Sequence, residues 1–220
     1  MNKLLLALLV FTVPQVFSQE SAAPFKASST YTKGLQYTEL DPAYVTSNEE
    51  QVVVYEFFGY TCPHCSSFQP YMKPWHKKLP KHIKLVRVPV IFSEGWKIYA
   101  QAYYTAETMG IIEQTHSAMF NAIHKQRKRF RNIDQIADWY VENFNVDKKA
   151  FLATAGSFMI DSKLRQSMNM TRKMQITSTP SLVINGKFKP NTKALGGIPA
   201  LFEMATYLSN QEAVSMGLTK

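Results

Sequence analysis

Two apolar runs in the first half of the chain predict neighbouring strands of a buried sheet. Residues 52–58 (VVVYEFF) are apolar except for Glu56, and continuous β-rich runs of this length are typical of strands buried on both faces of a parallel or mixed sheet. Gly59 ends this run. Residues 83–88 (IKLVRV) alternate between apolar and polar positions, so they predict a second strand, which Pro89 ends.

A helix is predicted directly after the first strand, over residues 65–79. The apolar positions that recur there at helical spacing are Phe68, Tyr71, Met72, Trp75 and Leu79. Pro70 and Pro74 fall inside this segment. Because proline removes a backbone donor and its ring crowds the preceding turn, we expect the helix to be kinked or broken there.

The pattern changes to helical periods between the second strand and about residue 174. Residues 97–109 are helix formers followed by Gly110, which suits a helix C-terminus. Residues 133–144 carry an uninterrupted amphipathic stripe. Asp147 can cap the next helix, and residues 158–174 predict a further long one. We therefore expect a block of several helices between two groups of strands.

Strand patterns return near the C-terminus. Residues 181–184 form a short apolar run, and Asn185 and Gly186 separate it from a second one. Asn-Gly between two apolar runs is a strong indication of a hairpin, because both residues tolerate a positive φ. A last amphipathic helix follows, so the chain is predicted to be an α/β protein with two groups of strands.

Composition and charge change this picture little. The chain has 220 residues, of which 45% are hydrophobic and 19% charged, as in ordinary globular proteins. Its formal net charge is +9, and the densest basic run is residues 125–131 (KQRKRFR). We interpret that run as a solvated loop or helix end, since no nucleic-acid-binding motif accompanies it. No nucleic acid is therefore expected as a partner.

The N-terminal segment predicts export. Residues 1–18 combine a short basic start at Lys3, an apolar run and a small residue at Ser18, which is the layout of a secretory signal peptide. The apolar run is shorter than the roughly 20 residues of a membrane span. We expect cleavage after about Ser18, which lowers the formal charge from +9 to +8 by removing Lys3. Residues 19–34 are small and polar and predict a flexible lead-in.

The only two cysteines, Cys62 and Cys65, lie in a single CPHC motif. An exported chain with no other cysteine has none left for a structural disulfide, so the pair is either a redox centre or half of a metal site. A zinc site needs further ligands. There is no second CxxC, and the histidines outside the motif lack the close paired spacing of zinc ligands: His76, His82, His116 and His124. We favour a redox pair and predict no metal.

The position of the motif predicts which cysteine attacks. The thiolate is the nucleophile in disulfide exchange, and Cys62 stands where a strand has ended and a helix begins. Unpaired N–H groups at the start of the helix lower the pKa of such a thiol, and Pro63 suits its first turn. His64 adds a polarisable donor. Cys65, one turn later, can close the disulfide and resolve the mixed disulfide.

Two further positions are candidates for the site. Glu56 interrupts an apolar strand, and a buried carboxylate is costly unless it is paired or protonated, although its side chain could instead reach solvent at a sheet edge. Pro180 follows Thr179 immediately before a predicted strand. Considered alone, a proline here would mark a sheet edge or a turn. Because the chain also has a CxxC motif, we favour a cis proline that faces the sulfurs.

The strings EFFGYTCPHC and TSTPSLVINGKF, with the long helical block between them, resemble the DsbA family of periplasmic disulfide oxidases. The resemblance runs from about Gly34 to the last helix. It implies a thioredoxin fold with a helical domain inserted between its two halves. Residues 35–92 and 175–212 would be those halves, residues 93–174 the helical insertion, and residues 213–220 a tail.

The resemblance also implies roles for single residues. Cys62 looks like the nucleophile of the family, and His64 like the residue that tunes it. Pro180 looks like its cis-proline, with Thr179 lining the groove that binds the substrate peptide. Glu56 matches the buried acid that is thought to relay protons to and from the cysteines.

The function implied is the introduction of disulfide bonds into unfolded exported proteins in the periplasm, with the Cys62–Cys65 disulfide as the redox group and no cofactor. A membrane partner similar to DsbB would re-oxidise the pair. Thr179 stands where the best-known DsbA proteins have valine, and threonine is seen in isomerase relatives. A disulfide isomerase or reductase on the same fold is therefore an alternative, as is a peptide-binding chaperone. Because only a short segment precedes Gly34, with no dimerisation domain, we expect a monomer.

Overall fold

The computed structural model describes residues 31–46, 48 and 50–219. The predicted signal peptide and residues 19–30 of the lead-in lie outside the described residues. Within the described part of the chain, no helix combines the length and the apolar character that crossing a membrane requires.

One mixed sheet of five strands forms the centre of the described structure, in the order β1-β5-β4-β2-β3. Strands β2 and β3 are parallel, and the other neighbours are antiparallel. The sequence pattern did not reveal β1. The strands are β1 (Tyr37–Glu39), β2 (Val52–Phe58), β3 (Ile83–Pro89), β4 (Ser181–Ile184) and β5 (Phe188–Pro190).

Helices occupy the order that the sequence predicted. Helix α1 connects β2 to β3, five helices lie between β3 and β4, and α7 follows β5. The helices are α1 (Pro63–Lys77), α2 (Glu94–Thr108), α3 (Ile112–His124), α4 (Ile133–Phe144), α5 (Lys148–Ala155), α6 (Phe158–Lys173) and α7 (Ile198–Ser215). The predicted α/β architecture, with a helical block between two groups of strands, is confirmed.

Strand β2 is the centre of the core, and all seven of its residues are buried. Alternate side chains of a strand point to opposite faces of the sheet. Val52 and Val54 pack with α1 and α7, whereas Val53, Tyr55 and Phe57 pack on the other face, against the end of α6. This burial on both faces explains why the run is apolar at nearly every position.

Helix α1 differs from its prediction. It runs without a break from Pro63 to Lys77, although Pro70 and Pro74 lie inside it. Both prolines are on the exposed face of the helix. The carbonyls that lose a donor there can bond to water, so the helix continues past them. Of the two predicted alternatives, the broken helix is therefore wrong, and the kink stays a prediction.

The predicted Asn-Gly hairpin between β4 and β5 is confirmed. Asn185 has φ 50° and Gly186 has φ 67°, and Lys187 N–H donates to the carbonyl of Ile184 at 2.9 Å. The carbonyl of Gly186 also accepts from Tyr44 N–H at 2.8 Å, which brings the two backbones close together. A Cβ at position 186 would overlap the carbonyl oxygen of Tyr44.

We expect Gly186→Ala to destabilise the protein by about 2–4 kcal/mol, because alanine meets both the positive φ and this backbone contact. Urea unfolding measures the change in the free energy of unfolding. Gly95→Ala is the matched control, since Gly95 lies in helix α2 with no atom close enough to meet a Cβ. Equal stability of the two variants would contradict the prediction.

Candidate active site

The CPHC motif occupies the junction between β2 and α1. Cys62 N–H donates to the carbonyl of Gly59 at 3.1 Å, which closes a tight turn after the strand. Cys62 is the N-cap of α1, and Pro63 is the first helical residue. The Cys62 sulfur accepts a hydrogen bond from Cys65 N–H at 3.4 Å. The unpaired donors of the first turn are thus directed at the sulfur.

Gly59 allows the turn to pass beneath the helical block. A Cβ at this position would overlap the indole ring of Trp96, which belongs to α2. Because the ring lies directly on the glycine, only a residue without a side chain fits. The entrance to the motif is therefore shaped partly by a residue of the helical block.

The two cysteines approach to 3.3 Å, and both are free thiols. Cys62 keeps 7% of its surface exposed, while Cys65 is fully buried at 0%. This difference in access favours Cys62 as the sulfur that meets a substrate.

The two sulfurs also differ in acidity. A hydrogen bond from the Cys65 thiol is the largest of the effects that lower the pKa of Cys62 to about 5, and bonds from the Thr179 side chain and from backbone N–H groups add to it against the effect of burial. The pKa of Cys65 is raised, because its thiol donates to Cys62 and because it is buried. The pair therefore holds one thiolate, and that thiolate is at Cys62.

A cleft of about 530 Å³ opens beside Cys62. Residues that line it include His64, Ser67, Thr177, Ser178, Thr179 and Pro180. The Thr179–Pro180 peptide bond is cis, and the Cys62 sulfur lies 3.5 Å from the carbonyl oxygen of Thr179. The segment before β4 and the start of α1 both line this cleft.

Glu56 lies inside the protein rather than at a sheet edge. Its side chain is fully buried on β2 and accepts a hydrogen bond from Gln69 of α1 at 3.2 Å. Burial raises the pKa of Glu56, and the nearby Arg87 and Gln69 oppose this rise. A carboxyl group in such an environment can take up or release a proton at less acidic pH than an exposed one.

Arg87 is the residue of this site that sequence analysis missed. Its Nε lies 3.3 Å from Glu56 Oε2, and its Nη1 donates to the exposed Glu113 of α3 at 3.2 Å. The two charges meet because the parallel register places position 56 of β2 beside position 87 of β3. Both strands are visible in the sequence, but their register is not, so the ion pair could not be predicted.

Comparison with known proteins places these features in a family. Over 182 residues the chain is 35% identical to the thiol:disulfide interchange protein DsbA of Pseudomonas aeruginosa, and the match covers 83% of this chain and 86% of that protein. The chain belongs to the DsbA family. The DsbA protein of Pseudomonas syringae pv. tomato is 33% identical over 195 residues, which cover 89% of this chain and 91% of that protein.

Structural similarity agrees with this membership in the DsbA family. A family model described as thioredoxin matches residues 42–197. The crystal structure of Pseudomonas aeruginosa DsbA is 34% identical, superposes with a TM-score of 0.80, and is matched over 84% of this chain and 96% of that one. The expected thioredoxin fold with a helical insertion is thereby confirmed. Members of the DsbA family work through a redox-active cysteine pair.

The lowered pKa of Cys62 predicts a pH-dependent stability of the reduced protein. A pKa near 5 in the folded state, against an ordinary value of 9.0, stabilises the reduced form fully above about pH 9, and this contribution is lost as the pH falls towards about 5. As the pH is lowered across that range, the melting temperature of the reduced form should therefore fall relative to that of the oxidised form. Thermal unfolding of both forms by circular dichroism measures it.

The oxidised form is the internal control for this measurement, because it retains Glu56 and the other titratable groups but has no Cys62 thiol. A difference in melting temperature that stays constant from about pH 9 to about pH 5 would contradict an acidic Cys62.

Proposed function

We propose that this chain is a thiol:disulfide oxidoreductase that introduces disulfide bonds into exported proteins. The observation that carries the proposal is the asymmetry of the CPHC pair, with an acidic Cys62 at the start of α1 and a buried, weakly acidic Cys65. The relatives named thiol:disulfide interchange protein support the reaction class.

In the proposed reaction the Cys62–Cys65 disulfide is the oxidant. A substrate thiolate attacks the Cys62 sulfur, the bond between the two cysteines breaks, and Cys65 leaves with the electron pair and takes up a proton. A second substrate thiolate then attacks the substrate sulfur of the mixed disulfide. This releases Cys62 as a thiolate, so the substrate loses two electrons and the chain gains them.

The acidity of Cys62 determines the direction of this exchange. A thiol of low pKa is a good leaving group, and a stabilised thiolate favours the reduced form of the chain. Both effects favour transfer of the disulfide to the substrate. The hydrogen bond from the Thr179 side chain acts in the same direction, because it lowers the pKa of Cys62. Thr179 thus supports an oxidase more than an isomerase or reductase.

The remaining predicted residues have roles around this exchange. Pro63 and His64 begin α1, and the exposed His64 would meet the substrate beside Cys62. Thr179 and Pro180 would line the groove in which an extended peptide lies, because both border the cleft.

Glu56 is the proposed proton carrier for the cysteine pair. Cys65 must gain a proton when the disulfide opens and lose it when the disulfide is restored. A buried carboxyl group whose pKa is raised by burial can supply that proton without a large change in local charge. Arg87, beside it, limits the cost of the ionised form.

The proposed location is the periplasm, after removal of residues 1–18. The proposed substrates are unfolded exported proteins that carry free thiols. The Cys62–Cys65 disulfide serves as the redox group without a further cofactor, and a membrane protein of the DsbB type would restore it. The naming of the DsbA relatives supports these assignments at the level of the family.

The reduction potential of the Cys62–Cys65 pair, measured in glutathione buffers, tests the proposed function. We expect a couple more oxidising than glutathione itself, with faster refolding of reduced than of scrambled ribonuclease. Cys62→Ala should abolish both activities. A potential as reducing as that of a thioredoxin, or better activity on the scrambled enzyme, would instead indicate a reductase or an isomerase. Retained aggregation suppression and cellular rescue by a variant without either cysteine would indicate a chaperone.

Thr179→Val should raise the pKa of Cys62 and make the pair less oxidising, because valine keeps the shape of the side chain but cannot donate a hydrogen bond. Loss of one hydrogen bond corresponds to about a threefold to tenfold change in the equilibrium constant with glutathione. Thr179→Ser keeps the hydroxyl and should stay near the original value. A valine variant as oxidising as the unchanged protein would contradict a role for this hydroxyl.

A further inference from the structure

Tyr60, two residues before Cys62, is held at two points by one helix of the insertion. Its hydroxyl shares a hydrogen bond with Nδ1 of His116 at 2.9 Å, and its backbone carbonyl lies 2.7 Å from Nε2 of His124. Both histidines belong to α3. The proposed disulfide exchange leaves both of them without a role.

The two hydrogen bonds have different chemistry. A carbonyl oxygen only accepts, so the bond between Tyr60 and His124 requires the proton on Nε2 of His124. Burial and the nearby Arg87 hold the pKa of His116 well below its usual range, so this ring is neutral and can share a hydrogen bond with the phenol. One contact therefore fixes the backbone of Tyr60, and the other fixes its side chain.

Packing alone already fixes the ring of Tyr60. The side chain is 1% exposed, and it lies among Phe58, Tyr103 and Phe120, with ring centroids 5.0–6.5 Å away. The backbone carbonyl is buried with the rest of the residue, and its hydrogen-bond partner in the described structure is His124, which is half-buried at the end of α3.

We propose that His116 and His124 form a clamp on Tyr60 that positions the Cys62 sulfur at the start of α1. The clamp deepens the proposed function and rests on it: the two histidines are positioning residues that act through the loop, and neither touches the reacting sulfurs. His124 is its main member, because it holds the backbone from which Thr61 and Cys62 continue.

The Cys62 thiolate is sensitive to small movements of this loop. The bond that the sulfur accepts from Cys65 N–H is 3.4 Å long, and the turn that positions the sulfur rests on one bond of 3.1 Å between Cys62 N–H and the carbonyl of Gly59. Lengthening them weakens the stabilisation of the thiolate. The oxidised form has no thiolate at Cys62, so movement of the loop destabilises the reduced form more and makes the pair less oxidising.

Three variants of α3 separate this positioning role from a purely structural one. His124→Leu removes the donor, His124→Gln replaces it with an amide N–H, and Asn121→Ala is a control at an exposed position of the same helix. We expect His124→Leu to raise the pKa of Cys62 and to lower the oxidising equilibrium constant with glutathione by about threefold to tenfold. His124→Gln and Asn121→Ala should remain within about twofold of the unchanged protein.

The proposal is overturned if His124→Leu leaves the pKa of Cys62 and the equilibrium constant unchanged, whatever its melting temperature. It is also overturned if His124→Gln is as impaired as His124→Leu. Both comparisons are ratios to the unchanged protein. They therefore test the clamp separately from the proposed function, which depends on the absolute potential of that protein.

A measurement on the unchanged protein tests the clamp even if His124→Leu does not fold. Nitrogen-15 NMR distinguishes the two neutral forms of a histidine ring. We expect His124 to carry its proton on Nε2 when neutral, because the carbonyl of Tyr60 must accept it. A neutral ring protonated on Nδ1 would have no donor for this carbonyl and would overturn the proposal.

Discussion

A negative charge on the Cys62 sulfur, held by the donors at the start of α1, is the interaction on which the proposed chemistry depends. The charge is stable there because the strand ends at Phe58, four residues earlier, and the helix begins directly after Cys62, so N–H groups of its first turn have no backbone acceptors. Cys65 lies one turn further, is fully buried, and donates its own proton to the first sulfur. A single helix start therefore makes one cysteine acidic and the other weakly acidic.

A second ionisable group, on the central strand, needs compensation of its own. Glu56 is buried on the central strand, where an isolated carboxylate would be costly, and Arg87 of the neighbouring strand provides the opposite charge. Arg87 in turn reaches Glu113, whose side chain is exposed. The buried acid is thus linked to the surface through two charged side chains, while the face of β2 around it remains packed against α1 and α7.

Features defined by neighbours in sequence could be predicted, and those defined by contacts across the fold could not. The buried strand, the Asn185-Gly186 hairpin and the position of CPHC at a helix start all follow from local patterns. Strand β1 was missed because its three residues, YTE, carry no strand pattern. The unbroken course of α1 depends on the exposed positions of its prolines. Arg87 needed the strand register, and the two histidines needed the packing of α3 against the active-site loop.

Side chains of the helical insertion contact the active-site region at several points. Trp96 of α2 covers Gly59 where the turn begins, His124 of α3 holds the carbonyl of Tyr60, and Glu113 of α3 meets the arginine that pairs with Glu56. The sheet and α1 create the helix start that stabilises a thiolate. The contacts from the insertion hold the loop that leads into this helix start. Because the same loop also carries Cys62 into the cleft, we expect a change in the insertion to alter the acidity of Cys62 and its access to substrate together. The insertion is therefore part of the redox site in physical terms, although both cysteines lie outside it.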